Sequence, residues 1–296
     1  MPGNHVVGEP KYFSKDWCGL RWTGWIALDA PTLAFQGLPT SPGVYRVRPV
    51  GLSQLAYIGQ TKRGLRQRLR SLAIHTYRPE MPYNDPHTAA PSLWILRVEE
   101  GMTFECSGAR TTLDGPERRA LEDMLLWKHR VECGESTLCN HGRFHRLYFR
   151  SRDRKTGRRG GKLPPGQTNP ASGPSKRPLL SQGKPDDDDW MGLPWSAPQR
   201  LKTADLRSVP LSKGLYKILD RGTHRLLYVG ETKSLRDRLR AHAAKPWGDY
   251  EPVVSYHLLD GEILDHQRRE METDLIGSYY DAFRKPPVFQ YGEIKV

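Results

Sequence analysis

A tyrosine, a second tyrosine twelve residues on, an arginine, a glutamate and an amide follow one another in this chain twice, in the same order and in matching surroundings. Phenol, guanidinium and carboxylate in one series are the kind of groups that hydrolyse phosphodiesters. The first series is Gly43-Val44-Tyr45, Tyr57-Ile58-Gly59, then Leu65-Arg66-Gln67-Arg68-Leu69. The second is Gly214-Leu215-Tyr216, Tyr228-Val229-Gly230, then Leu235-Arg236-Asp237-Arg238-Leu239. Further on, Arg118-Arg119-Ala120-Leu121-Glu122 is answered by Arg268-Arg269-Glu270-Met271-Glu272, and eighteen residues beyond each glutamate stands an amide, Asn140 or Gln290. Such agreement across separated blocks marks an internal duplication, which sets the architecture before any single motif is weighed.

The elements that must position these residues follow from local pattern. Residues 44–48 and 55–59 alternate in character across a Pro/Gly-containing link, as do 215–219 and 226–229 across Asp220-Arg221-Gly222, which predicts a hairpin in each copy. Leu65, Leu69 and Leu72, like Leu235 and Leu239, fall at helical spacing and leave Arg66, Arg70, Arg236 and Arg240 toward solvent. Arg68 and Arg238 border the buried stripe, where an arginine can lie along the core and project its head into a cleft. Apolar runs at Leu93–Arg97 and Val253–Leu258 read as a third strand in each copy. On a later helix Glu122 and Glu272 sit at the margin of an apolar stripe, as candidate metal ligands or as partners of the upstream arginines. Asn140 and Gln290 can orient a catalytic side chain or hold a loop.

Each copy has its own lead-in, Asp16-Trp17-Cys18-Gly19-Leu20-Arg21-Trp22 and Asp189-Trp190-Met191-Gly192-Leu193-Pro194-Trp195, whose tryptophans are expected to pack on the parent domain. The duplication places domains at 10–150 and 189–296. Residues 151–188, basic at first and then rich in Pro, Gly and Ser up to an acidic run, read as a flexible linker. A formal charge of +13 and a pI near 9.6 point to a polyanionic partner. Clustered cations make Arg66, Arg70, Arg143, Arg152, Arg154, Lys155, Arg158, Arg159, Arg236 and Arg240 the candidate nucleic-acid contacts. No apolar run approaches bilayer thickness and Met1–His5 does not open a signal leader, so a cytoplasmic protein with no membrane partner is expected. The four cysteines have no spacing in common with zinc or disulfide frameworks and do not recur in the second copy, which predicts reduced thiols.

The ordered series, found twice, resembles the GIY-YIG nuclease superfamily. That resemblance implies an α/β fold of α+β type, with two tandem domains, each a small mainly antiparallel three-stranded sheet flanked by helices. It also implies metal-dependent hydrolysis of nucleic acid. Tyr45, Tyr57, Tyr216 and Tyr228 would line the pockets and position or deprotonate the attacking water; Arg68 and Arg238 would stabilise charge on the phosphate; Glu122 and Glu272 would each hold one Mg²⁺ or Mn²⁺; Asn140 and Gln290 would support the sites. His242, four residues after Arg238, stands where many members carry a proton-relaying side chain, whereas the first copy has Leu72 there and His75 one turn on. Gln290 departs from the usual Asn. The first copy also has an insertion between Arg68 and Glu122, most visible over residues 75–91. The function implied is an endodeoxyribonuclease that cuts double-stranded DNA, one strand per module and as a monomer, in a restriction or defence role. The alternatives are a structure-specific repair or recombination nuclease, or one catalytic module beside one that only binds nucleic acid.

Overall fold

In the computed structural model, which describes residues 9–292, the chain is a mixed α/β protein with antiparallel sheets. The Met1–His5 reading and the last residues of the expected second domain lie outside the described residues. Contacts group the chain into two units, one of residues up to Leu113 with 131–172, the other of 114–130 with Gly173 onward. No helix among the described residues is long and apolar enough to cross a membrane.

In the first unit β1 (Ile26–Ala27), β2 (Gly43–Pro49), β3 (Tyr57–Thr61) and β4 (Phe104–Arg110) form one sheet in the order β1-β4-β2-β3. The sheet therefore has four strands, where three were expected. Helix α1 (Leu65–Thr76) turns Leu65, Leu69 and Leu72 onto a core with Phe35, Leu38, Tyr45 and Phe104. Residues 93–97, expected as a strand, are instead the middle of α2 (Ala90–Glu100), which starts with Pro91 in its first turn and stops at Gly101 in the left-handed region. A short apolar run buried on every side has no period that separates helix from strand, and the flanking Pro and Gly decided it. The third long strand is β4, whose small side chains gave little alternation.

The segment after the first copy is also built. β5 (Tyr148–Phe149) pairs with β6 (Gly161–Lys162) over a small core of Met81, Trp94, Ile95, Phe144 and Tyr148.

In the second unit β7 (Gln199–Arg200), β8 (Gly214–Asp220), β9 (Leu226–Thr232) and β10 (Pro252–Leu258) repeat the same order, β7-β10-β8-β9. Helix α4 (Leu235–Ala243) follows the hairpin, and α5 (Asp265–Phe283) closes the unit. The stretch 115–130 of helix α3 (Gly115–Cys133) packs on α5, where a Cβ on Gly277 would come within 2.6 Å of the Asp123 carbonyl and 2.7 Å of Trp127 Cβ. Only glycine allows that approach. Arg130 is wholly buried at this contact: its Nε donates to Asp274 at 2.7 Å, and Nη1 lies 3.3 Å from Glu270.

These bonds shift the boundaries away from those expected at 10–150 and 189–296. Residues 173–188, expected as tether, belong to the second unit: His266 and Gln267 approach the Pro174 carbonyl at 3.0 and 2.9 Å, and the Leu179 N–H donates to Asp274 at 3.0 Å. Backbone polar groups anchor this stretch together with Leu179 packed on the core, and its Pro/Gly/Ser-rich composition did not disclose the packing.

The duplicated tryptophan lead-ins share one backbone. Cys18 and Met191 take φ of 56° and 58°, and Trp22 and Trp195 donate Nε1–H to the carbonyls of Trp17 and Trp190 at 3.0 and 2.9 Å. All four rings are buried. In each unit they enclose a cation on the strand of the first tyrosine. The Arg46 guanidinium lies 4.2 Å from the Trp22 ring and donates to the carbonyls of Tyr12, Phe13 and Ser14; the Lys217 ammonium lies 4.8 Å from the Trp195 ring and donates to the Asp187 carbonyl. Aromatic faces and carbonyls replace the water these cations lose. Burial still pulls Arg46 down to about 9 and Lys217 down to about 8.

Candidate active site

Strand pleat sends alternate side chains to opposite faces, so Tyr45 turns away from the tryptophan-caged Arg46 and toward α1. There Arg68 Nε donates to the Tyr45 hydroxyl at 3.2 Å, and Nη1 donates to the Pro86 carbonyl at 2.8 Å. The Tyr45 and Tyr57 ring centroids are 6.0 Å apart. In the second unit Arg238 Nε donates to the Tyr216 hydroxyl at 3.1 Å, and the Tyr216 and Tyr228 centroids are again 6.0 Å apart. The glycine of each second motif is explained by its neighbour: a Cβ on Gly59 would fall 2.6 Å from the Tyr45 phenol, and one on Gly230 would fall 2.2 Å from the Tyr216 hydroxyl oxygen. A larger residue would displace the phenol.

The amides act on backbone. Asn140 accepts from the Ile58 N–H at 3.0 Å and donates to the Ile58 carbonyl at 2.9 Å; Gln290 does the same to Val229 at 3.0 and 3.0 Å. The residues before them extend the pattern. Leu138 and Cys139 donate N–H groups to Leu55 and Ala56, as Val288 and Phe289 do to Leu226 and Leu227. In both units the amide thus holds the edge of the strand at the residue next to the second tyrosine, and the extra methylene of Gln290 is accommodated.

His242 completes the second pocket. Its Nε2 lies 2.9 Å from the Tyr216 hydroxyl. That hydroxyl also accepts from Arg238 Nε, so Tyr216 joins the imidazole to the helix arginine. Burial, followed by the charges of Lys245 and Arg238, pulls the imidazole down to about 3, so it is neutral at physiological pH. Burial pushes the Tyr216 phenol up, so it is a proton carrier and not a standing phenolate. Glu272 is half-buried on α5, and burial, then the charge of Glu231, raises it to about 8 although the Glu231 N–H donates to it.

The first pocket gathers Tyr45, Tyr57, Arg68 and Asn140. Glu122 is half-buried on the part of α3 that groups with the second unit, where burial first, then the charges of Glu122 and Glu272, holds the Asp123 carboxyl well above its usual range. His75 is turned to its own helix, with Nδ1 2.7 Å from the Ser71 carbonyl.

Two residues escaped the sequence reading. His87, from the insertion, is buried with Nε2 2.8 Å from Ser71 Oγ, and is pulled down to about 3 by burial and then by the Arg68 charge. Each unit thus buries a neutral imidazole near its helix arginine, and only in the second does helical spacing disclose it. Glu231 directly follows Tyr-Val-Gly, where the first copy has Gln60; it accepts from Arg268 Nε at 2.7 Å. Aligning the copies exposes it as an added acid.

Glu272 has Glu231 near enough for its charge to be felt, and Glu231 is itself paired with the buried Arg268, so Glu272 is the carboxylate left for a hard divalent cation. Among the described residues no group of three or more His, Cys, Asp or Glu gathers into a fuller cage.

The candidate nucleic-acid contacts divide. Arg66 and Arg236, expected toward solvent, are half-buried staples: Arg66 donates Nε to the Leu38 carbonyl at 3.1 Å and Nη2 to that of Gln36, and Arg236 donates Nε to the Val209 carbonyl at 2.6 Å. Their long stems fold back to the segment before β2 or β8, whose carbonyls accept these bonds. Arg70 and Arg240 are exposed, as are Arg152, Arg154, Lys155, Arg158 and Arg159; Arg143 is half-buried and reaches the Ser136 carbonyl. Arg70 lines a groove of about 520 Å³ along α1 with Thr40, Gln67 and Ile74. Cys106 and Cys139 are buried free thiols, pushed up to about 12 by burial. No family model, curated protein or solved structure matches this chain.

Proposed function

We propose that the chain is a metal-dependent DNA endonuclease of the GIY-YIG kind, with two fused modules that hydrolyse phosphodiester bonds, one strand of a duplex each. The observation that carries this reading is the twice-repeated geometry: arginine Nε on the first tyrosine's hydroxyl at 3.2 and 3.1 Å, paired phenols at 6.0 and 6.0 Å, and an amide clamping the next residue of the strand. The α+β architecture of antiparallel sheets and helices agrees with it. The net charge of +13 and the exposed arginine run at 152–159 suit a DNA backbone.

In the second pocket the exposed Arg238 guanidinium, anchored through Nε on the buried Tyr216 hydroxyl, meets the charge developing on the phosphate, while neutral His242 beside that hydroxyl helps to fix the phenol. Glu272 would hold a Mg²⁺ or Mn²⁺ ion, which would supply Lewis acidity toward a phosphoryl oxygen, and the duplication makes Glu122 its counterpart in sequence. Tyr228 walls the pocket beside Tyr216.

One observation favours a narrower reading: the first unit has Leu72 where the second has His242, so one module can be the catalyst and the other a nucleic-acid holder. Arg68→Ala and Arg238→Ala, made singly and together and assayed on supercoiled plasmid, separate the two. Nicked circles from each single variant support one strand per module; undiminished linearisation by one of them makes its module non-catalytic. Discrete plasmid fragments indicate a restriction-like cutter, whereas cleavage confined to flaps or junctions indicates a structure-specific one.

A further inference from the structure

We propose that the second unit carries a receptor for one unstacked nucleobase beside its tyrosine pair, an inference that takes its substrate class from the nuclease reading. A cavity of about 350 Å³ opens between Tyr228, His242, Lys245, Pro246, Trp247 and Phe289. Its walls are a chain of rings, with centroid separations of 4.8 Å for Tyr228 and His242, 5.9 Å for His242 and Trp247, and 5.2 Å for Trp247 and Phe289. Trp247 is fixed in place, since its Nε1 donates to the His242 carbonyl at 3.0 Å. Phe289 is carried by the segment that pairs with β9, so its ring is held as well. Lys245 and Pro246 are exposed.

Preset aromatic faces with a cation beside them are what single-stranded nucleic acid uses, the rings for the base and the ammonium for a phosphate. An aliphatic or peptide side chain would use the rings but leave Lys245 idle. Tyr228 is a wall of this cavity and also half of the tyrosine pair, so a base seated here sets its own phosphodiester toward Tyr216 and Arg238. The first copy does not repeat this set of rings: Leu72 stands where the duplication puts His242, Cys139 where it puts Phe289, and the Tyr57 hydroxyl lies 3.4 Å from Thr88 of the insertion. The second module therefore selects sites where a base has left the stack, whether at an end, a flap or by extrusion.

The test uses the full chain with Ca²⁺ in place of Mg²⁺ and a single-stranded oligonucleotide carrying 5-iododeoxyuridine at one position, photocrosslinked and mapped by peptide mass spectrometry. The receptor predicts crosslinks at Trp247, Phe289 or Tyr228. Trp247→Leu should weaken binding of that oligonucleotide at least about fivefold, the low end of a lost base–ring stack. If Trp247→Leu does not fold, as judged by thermal melting, Lys245→Ala combined with Phe289→Leu replaces it. Crosslinks confined to other aromatic residues, no crosslink at all, or unchanged binding by a folded variant overturns the receptor. Plasmid cleavage in Mg²⁺ scores the nuclease reading separately: cleavage without crosslinks at these rings removes the receptor alone, and crosslinks there without cleavage keep the receptor and remove the hydrolytic reading.

Discussion

Replacing Asn140 by leucine removes three hydrogen bonds at nearly constant volume: to the Ile58 N–H at 3.0 Å, to the Ile58 carbonyl at 2.9 Å, and from Thr137 Oγ1 at 2.7 Å. All three are buried, so no water takes the place of the amide. Each orphaned group costs about 1–3 kcal/mol, and two backbone groups plus one hydroxyl, discounted for relaxation, give about 3–5 kcal/mol. Asn140→Asp keeps the acceptor for Ile58 and Thr137 but sets a buried carboxylate oxygen against the Ile58 carbonyl, so at neutral pH it should cost at least as much, about 3–5 kcal/mol. Gln290→Leu should cost less than Asn140→Leu, because its bonds to Val229 are only part-buried. Urea unfolding followed by circular dichroism gives the free energies, and plasmid cleavage gives the activity. If Asn140→Leu stays within about 0.5 kcal/mol of wild type while activity collapses, the amide acts on substrate and the clamp reasoning is wrong.

Arg238→Ala should slow cleavage in the second module by about 10²–10³-fold with a smaller change in DNA affinity, read as single-turnover rate against binding. Substituting Asp274→Ala removes two hydrogen bonds of the buried Arg130 and the acceptor of the Leu179 N–H while leaving Glu270 as its counter-ion, and should cost about 2–4 kcal/mol in urea unfolding, whereas loss of the exposed Lys233–Asp265 pair should cost under about 1 kcal/mol. His242 is held at about 3 in the folded chain, below its ordinary value, so the unfolded chain binds more protons between about 3 and 6.5. Stability must then fall as pH drops through that window, by at most about 1.4 kcal/mol per pH unit for this residue, and His242→Gln should flatten the acid limb of a melting-temperature profile.

What the sequence disclosed was whatever a period or a repeat encodes. Leu65, Leu69 and Leu72 announced α1, the matched blocks announced two copies of one arrangement, and the tryptophan lead-ins packed as their duplication suggested. The misses have a common physical cause. Leu93–Arg97 is buried on too many sides to show a period, and β4 is built of Cys, Ser, Gly and Ala, so one read as strand and the other was not read at all. Residues 173–188 are held by backbone carbonyls and N–H groups, which composition does not record. His87 reaches its place through an insertion with no counterpart in the second copy, and Arg66 and Arg236 are exposed by helical phase yet fold back to loop carbonyls. The cage around Arg46 and Lys217 was half legible: the tryptophans were marked as buried, but the cation they enclose lies on another element.

Incubation of the purified chain with supercoiled plasmid, with and without Mg²⁺, beside Glu122→Ala and Glu272→Ala, addresses the central claim most directly. The account predicts Mg²⁺-dependent linear product from the wild type, nicked circles from each single variant, and intact supercoil from the double variant. Cleavage by the double variant at the wild-type rate, or cleavage that persists in excess chelator, would contradict it.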